Sequence, residues 1–224
     1  MMENEEKITL PAPKTLPLGD EVKTFYSKDL VAIIVKVFGS PIRGTRSLFT
    51  EQSEKSFIQS LILVASVAVV SAVFVLLFIP SEIREYVSWI TIAGKAVSFA
   101  VLYLLLVSGF SFGLKMLSGK AEFRSELFTG AVCGIPFVAS VALIFLFSKV
   151  MMNDQILSDI MMRGYGSLIS RGGILLLFLL YTHLLSFNIL FQSQRASGTK
   201  DVAAWYLSPL GILLAYYITF KIIF

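Results

Sequence analysis

An uncharged run of 21 residues, Leu127 to Phe147, constrains the fold of this chain more than any other feature of its sequence. A helix of about 20 apolar residues crosses the hydrocarbon core of a bilayer, which is about 30 Å thick. Three cations precede the run, at Lys115, Lys120 and Arg124. Because Lys and Arg collect on the cytoplasmic side of membrane proteins, these cations indicate that the start of the run faces the cytoplasm.

Four more runs of this kind occur, so the sequence predicts an all-α integral membrane bundle of five transmembrane helices. We place the spans at 57–79, 89–112, 127–147, 172–192 and 202–220. Hydrophobic residues make up 56% of the chain, above the roughly 45–50% that is usual in soluble domains. Two shorter amphipathic segments, at 28–38 and 153–164, predict a cytoplasmic interfacial helix and an outer interfacial helix. A lid over a cavity is the alternative for the outer segment.

Composition divides the chain into a flexible cytoplasmic tail, an amphipathic cytoplasmic segment and the transmembrane domain, at 1–26, 27–56 and 57–224. The tail has three prolines amid mixed charges, which is typical of disorder, and a docking peptide is the alternative interpretation. In the amphipathic segment Ser27 can cap a helix, and Gly39 with Pro41 can end it. This helix lies in the cytoplasmic interface or, alternatively, packs on the loops as a small cytosolic helix.

The distribution of Lys and Arg over the connecting segments predicts an N-terminus in the cytoplasm. Five spans then place the C-terminus outside. Residues 1–25 have no apolar stretch, so we expect no cleavable signal peptide and insertion through the first span.

The net charge of +4 favours contact with anionic lipid headgroups at the cytoplasmic face, since most of the excess lies on the segments assigned to that side. The residues expected to make this contact are Arg43, Arg46, Lys120 and Arg124. No dense basic patch with interleaved aromatic residues occurs, so we expect no nucleic-acid partner. Other membrane proteins, including a second copy of the chain, are the remaining partners that we expect.

Lys95 is a charge well inside a predicted span, and an ionisable residue in that position indicates a functional site by default. Thr91 and Ser98 lie on the same helix face by the helical period. As a structural alternative, the lysine stem extends toward the outer interface, where its ammonium stays solvated. Pairing with Glu82 or Glu85 in the preceding loop is a further alternative.

His183 and Asn188 complete the candidate intramembrane polar site, in the most polar of the five spans. A charged imidazole is costly at mid-membrane, so we expect His183 to be neutral and hydrogen-bonded. It either links helices through a hydrogen bond or handles a proton or substrate. No Ser/His/Asp set, His-x-x-x-His spacing or glycine-rich phosphate loop occurs, so we expect no catalytic, cofactor or metal site and no enzyme activity.

Small residues in the spans predict close packing between helices. They form two pairs at a spacing of four, Gly109 with Gly113 and Gly130 with Gly134. Pro136 removes a backbone donor in the third span, where we expect a kink. A gating hinge at Pro136 is the alternative.

Three groups of residues, together with the order of five spans after a cytosolic N-terminus, carry a family resemblance. They are Gly119-Lys120-Ala121-Glu122-Phe123 before span three, Pro136 within it, and Ser40-Pro41 with Phe49 before span one. From about Val35 onward the chain resembles the Yip family of Ypt/Rab-interacting multi-span proteins, in its bacterial-type branch. The aspartate-leucine-tyrosine-glycine-proline signature of the eukaryotic members is absent, so Rab binding is not expected.

The resemblance implies a non-enzymatic, multi-pass protein of a bacterial inner membrane, an adaptor or scaffold in membrane organisation or trafficking. The alternative function is a transporter or channel subunit that uses Lys95 and the polar face of the fourth span. Against this alternative, the five spans show no internal repeat of the kind that many transporters have.

Overall fold

The computed structural model describes residues 18–51, 56–78, 86–117, 121–151 and 165–224. These residues are almost entirely helical and none of them lies in a strand, which confirms the all-α class. The helices are α1 (Leu18–Thr24), a π-helical turn (Phe25–Asp29), α2 (Leu30–Gly39), α3 (Arg43–Thr50), α4 (Ser56–Phe78), α5 (Trp89–Met116), α6 (Phe123–Met151), α7 (Tyr165–Ala196) and α8 (Asp201–Ile223).

Helices α4 to α8 contain the stretches that are long and apolar enough to cross a membrane, five of them among the described residues. They are Phe57–Phe78, Trp89–Met116, Phe123–Phe147, Gly173–Ala196 and Asp201–Ile223. The chain is therefore a multi-pass integral membrane protein, as the sequence predicts. Both helices next to the α5–α6 loop are longer than predicted, because Lys115 and Glu126 are buried helix residues rather than loop charges.

The N-terminal helical segment begins earlier than the sequence predicts. α1 starts at Leu18, so residues 18–26 are helical rather than part of a tail, and Ser27 lies within the π-helical turn instead of capping a helix. Pro17 is the last proline before α1, and the acidic residues of the first turn suit the positive end of the helix dipole. Phe25 is buried in the core and anchors the start of the segment.

Several sequence predictions concern residues outside the part of the chain that the structure describes. They are the rest of the tail, the outer interfacial helix at 153–164, the loop acids Glu82 and Glu85, and the headgroup contact of Lys120. These predictions stay untested.

α6 is the central helix of the bundle, because it packs against α4, α5 and α7. Two of its glycines permit this close approach. A Cβ at Gly130 would overlap Ser108 Oγ and the carbonyl oxygen of Leu104 on α5. A Cβ at Gly134 would lie 2.6 Å from Val67 Cγ2 on α4, closer than real Cβ contacts allow. Larger residues at these two positions would therefore push α4 and α5 away from α6.

The other glycine pair has a different environment. An added Cβ at Gly109 or Gly113 of α5 would meet nothing within 4 Å. Equal spacing in the sequence therefore corresponds to a close helix contact in α6 and to open space in α5. Pro136 lies inside α6, where Ser140 Oγ donates to its carbonyl oxygen at 3.0 Å.

An aromatic layer joins four helices near the middle of the bundle. The ring of Tyr103 on α5 stacks on Tyr216 of α8 at 4.3 Å and on Phe137 of α6 at 5.1 Å. The His183 ring of α7 lies 5.2 Å from the ring of Tyr216. Tyr103 is completely buried, so the layer separates one half of the bundle from the other.

The N-terminal helices are packed on the bundle rather than free of it. α2 ends at Gly39, as predicted. The hydroxyls of Tyr26 and Ser66 are 2.6 Å apart, and Gln59 Nε2 donates to Asp29 Oδ2 at 2.8 Å. Both bonds connect the segment before α2 to α4.

Replacing Gly130 with alanine should destabilise the protein, because the new methyl group overlaps backbone and side-chain atoms of α5. Overpacking of this kind costs about 1–3 kcal/mol. Gly113→Ala is the matched control, since its methyl group enters open space and improves helix propensity by up to about 1 kcal/mol. Thermal melting of the detergent-purified protein should show a lower Tm for Gly130→Ala and an equal or higher one for the control. Equal melting temperatures for the two variants would contradict the close contact.

Candidate functional site

A cavity of about 600 Å³ lies among α4 to α8, at the end of the bundle where α5 begins and α8 ends. Its volume is in the range of small-molecule sites, roughly 300–1,000 Å³. The phenylalanines in its mostly apolar walls are Phe99, Phe137, Phe145 and Phe224. Lys95 and His183 both line the cavity, so the structure brings together two residues of the polar site that the sequence predicts.

Lys95 lies at the mouth of this cavity, where it is exposed. Its Nζ is 4.9 Å from the centre of the Phe224 ring, a cation–π contact. Phe224 is itself exposed, so the contact sits at the surface of the bundle. The site therefore has a cationic entrance and an apolar interior.

His183 lies deeper in the same cavity. Its Nδ1 is 2.8 Å from the carbonyl oxygen of Leu179, one turn earlier on α7. Because a carbonyl only accepts, Nδ1 carries the hydrogen, and in the neutral ring Nε2 is then an acceptor. The contact with Tyr216 fixes the ring from the other side. His183 is thus held by its own helix and by α8.

The remaining residues of the predicted polar site lie elsewhere. Thr91 and Ser98 are exposed on α5 and do not line the cavity. Asn188 Nδ2 donates to the carbonyl oxygen of Pro41, in the turn between α2 and α3. Asn188 therefore holds the N-terminal helices on α7, a contact hidden from sequence reasoning because 147 positions separate the partners.

Lys115 and Glu126 form a buried ion pair at the opposite end of α5. Lys115 Nζ and Glu126 Oε1 are 2.7 Å apart, and the two residues are 5% and 1% exposed. Removing two charges from solvent is costly, so such a pair requires good geometry and further hydrogen bonds. Those hydrogen bonds come from neighbouring helices.

Hydroxyl groups complete the surroundings of the ion pair. Ser111 Oγ donates to Glu126 Oε2 at 2.5 Å, and Lys115 Nζ donates to Ser193 Oγ at 2.9 Å. Ser193 Oγ is also 2.7 Å from Thr129 Oγ1. Since Ser193 belongs to α7, this network connects α5, α6 and α7 at one end of the bundle.

Sequence reasoning missed this network. It assigns Lys115 to a loop and gives Glu126 no role, because charges at the ends of spans are ordinary. One usable signal exists, since Glu126 directly adjoins an apolar run while Ser193 and Gln194 stand near the corresponding end of span four. Gln194 Nε2 donates to Ser111 Oγ at 3.1 Å and so belongs to the same network.

The residues predicted to contact headgroups lie on the surface where the structure describes them. Arg43, Arg46 and Arg124 are exposed. The Arg124 guanidinium carbon is also 5.7 Å from the centre of the Phe57 ring, which holds it beside the start of α4.

The chain is thus a multi-pass helical membrane protein with an apolar cavity at one end of its bundle and an ion-pair network at the other end. Comparisons with protein-family models, with curated proteins and with solved structures find no match for the chain. Among the described residues, no group of three His, Cys, Asp or Glu side chains could hold a metal ion.

Replacing Glu126 with alanine should destabilise the protein strongly, because Lys115 then keeps a buried charge without its counter-ion. Breaking a buried pair in this way costs about 3–5 kcal/mol. Glu51→Ala is the matched control, since it removes the acid of the surface pair with Lys36, where the contact is 3.0 Å and the loss is at most about 1 kcal/mol. Denaturant unfolding in detergent measures both variants. A Glu126→Ala loss no larger than the control's would mean that the network does not stabilise the bundle.

Proposed function

We propose that this chain is a non-enzymatic membrane protein of Yip-like type, which acts as an adaptor or scaffold in membrane organisation or trafficking. The observation that carries the proposal is the apolar outer face of α2. Val31 and Val35 on this face are 56% and 61% exposed. On the opposite face, Ile33 and Val37 are buried against the bundle. A helix that is apolar on both sides has one partner in the bundle and needs another outside it.

Cations flank the outer face of α2. Lys28 precedes the helix, Arg43 and Arg46 follow it, and all three are exposed. Apolar residues between cations suit a helix that lies in a membrane interface with anionic headgroups. Anionic lipids are therefore the first partner that we propose, and other membrane proteins or a second copy of the chain are further ones.

A scaffold needs its binding face to be firmly connected to its membrane anchor. The bonds of Tyr26 with Ser66 and of Asp29 with Gln59 connect the start of α2 to α4. The bond from Asn188 to the Pro41 carbonyl connects the end of α2 to α7. These hydrogen bonds therefore hold α2 in a fixed position relative to two membrane-spanning helices.

The middle of the bundle is closed, which favours an adaptor over a conduit. Tyr103, Val107 and Val132 are completely buried. Along α5 and α6 they lie between the cavity and the Lys115–Glu126 pair. A solute crossing from one end to the other would have to displace all of these side chains.

We also propose a cytoplasmic N-terminus, an outer C-terminus and a location in a bacterial inner membrane. The exposed cations Arg43, Arg46 and Arg124 support this orientation, because they lie at the end of the bundle where α6 begins. Such an excess of cations is typical of the cytoplasmic side.

A transporter or channel subunit is the second candidate function. The specific observation in its favour is that Lys95 and His183 line one cavity. Ionisable side chains that share an intramembrane cavity are a common feature of ion and proton pathways.

Reconstitution of the full chain into phosphatidylglycerol-containing vesicles separates the two functions. We expect the wild-type chain to change the vesicle diameter in cryo-electron micrographs. The variant Val31→Glu/Val35→Glu should lose this effect, because the charges prevent insertion of α2 into the interface. Lys95→Met/His183→Leu is the matched variant and should behave like the wild type. A proton or solute flux that the wild type supports and Lys95→Met/His183→Leu abolishes would overturn the adaptor in favour of the transporter.

A further inference from the structure

We propose that the cavity lined by Lys95 and His183 binds one acyl chain of an anionic membrane lipid, with the headgroup held at Lys95. The site lies away from α2 and does not depend on the adaptor function. Ile144 and Phe224, which line the cavity, are 47% and 70% exposed on the surface of the bundle. The cavity therefore opens toward the surrounding lipid, so that one chain can enter while the rest of the lipid stays in the bilayer.

The cavity has the proportions of a chain rather than of a compact solute. Phe137 and Phe145 of α6 both line it, and a rise of about 1.5 Å per residue puts them about 12 Å apart along the helix axis. On α5 the lining extends from Ile92 to Phe99, which is about 10 Å. With a volume of about 600 Å³, the cavity runs along the helices, and an acyl chain of the bilayer has the same direction.

The interior of the cavity offers few hydrogen-bond partners to a water molecule. Ser71 Oγ donates to the carbonyl oxygen of Val67 at 2.7 Å, and the Ser140 and Thr182 hydroxyls are 2.6 Å apart. The Nδ1 of His183 is bonded to a carbonyl of its own helix. A buried water needs about two to four polar partners, and apart from Nε2 of His183 these wall groups are already paired. An acyl chain instead supplies the dispersion contacts that the phenylalanine walls would otherwise lack.

The positive charge of Lys95 at the mouth of the cavity selects lipids with an anionic headgroup. Lipid tails are as apolar as the cavity walls, so chain burial alone gives little preference for one lipid over another. Lys95 Nζ stands at the entrance beside the Phe224 ring, where a phosphate can accept a charge-assisted hydrogen bond. Lys221 is also exposed at this end of the bundle, near the end of α8, but it does not line the cavity.

Native mass spectrometry of the delipidated full-length chain tests the headgroup preference with two probes that have the same chains, dioleoyl phosphatidylglycerol and dioleoyl phosphatidylcholine. For the first bound lipid we expect about tenfold tighter binding of phosphatidylglycerol, from the charge-assisted contact. Lys95→Met should remove this preference and Lys95→Arg should keep it. Lys221→Met, the matched control at the same end, should leave it unchanged. Equal binding of both lipids to the wild type, or an unchanged preference in Lys95→Met, would overturn the headgroup assignment.

A second pair of variants tests the cavity itself. Ala96 lines the cavity, so Ala96→Trp should fill it and remove the first tight binding event for both lipids. Ser98→Trp is the matched control, because Ser98 is exposed on the same helix and does not line the cavity. Unchanged lipid binding in Ala96→Trp with a wild-type melting temperature would overturn the proposal. If Ala96→Trp does not fold, the Lys95 series decides alone.

Discussion

The buried contact between Lys115 and Glu126 determines how one end of the bundle is built. A charged pair with 5% and 1% exposure is tolerated only where neighbouring groups hydrogen-bond to it. Ser111, Thr129 and Ser193 are those groups, and they come from three different helices. The ends of α5, α6 and α7 must therefore meet in one arrangement, which gives this end of the bundle a specific geometry that apolar packing alone would not impose.

The two ends of the bundle consequently differ in how closely their helices pack. Next to the ion pair the helices are closely packed, because Gly130, one turn beyond Glu126, lets the backbone of α6 approach α5. The aromatic layer at Tyr103 ends this packed region. Beyond it the helices enclose the cavity with Lys95 at its mouth. One end of the bundle is therefore joined by the ion-pair network, and the other end contains the cavity.

Much of the fold follows from the sequence because apolar runs and helix-ending residues are local signals. The five spans and the end of α2 at Gly39 belong to this class. The site follows less well, because its contacts join distant positions. Gly109 and Gly130 look alike in the sequence, yet only Gly130 lies against another helix. Lys115 looks like a loop cation until Ser193, 78 positions later, is placed beside it.

A closed, packed middle separates the two ends of the bundle, and the thiol of Cys133 reports on it directly. Cys133 is completely buried in α6, and it is the one cysteine of the chain. We predict almost no reaction of the native protein in lipid nanodiscs with a small membrane-permeant thiol reagent, and complete reaction after unfolding in sodium dodecyl sulfate. Rapid modification of Cys133 in the native protein would contradict a closed middle.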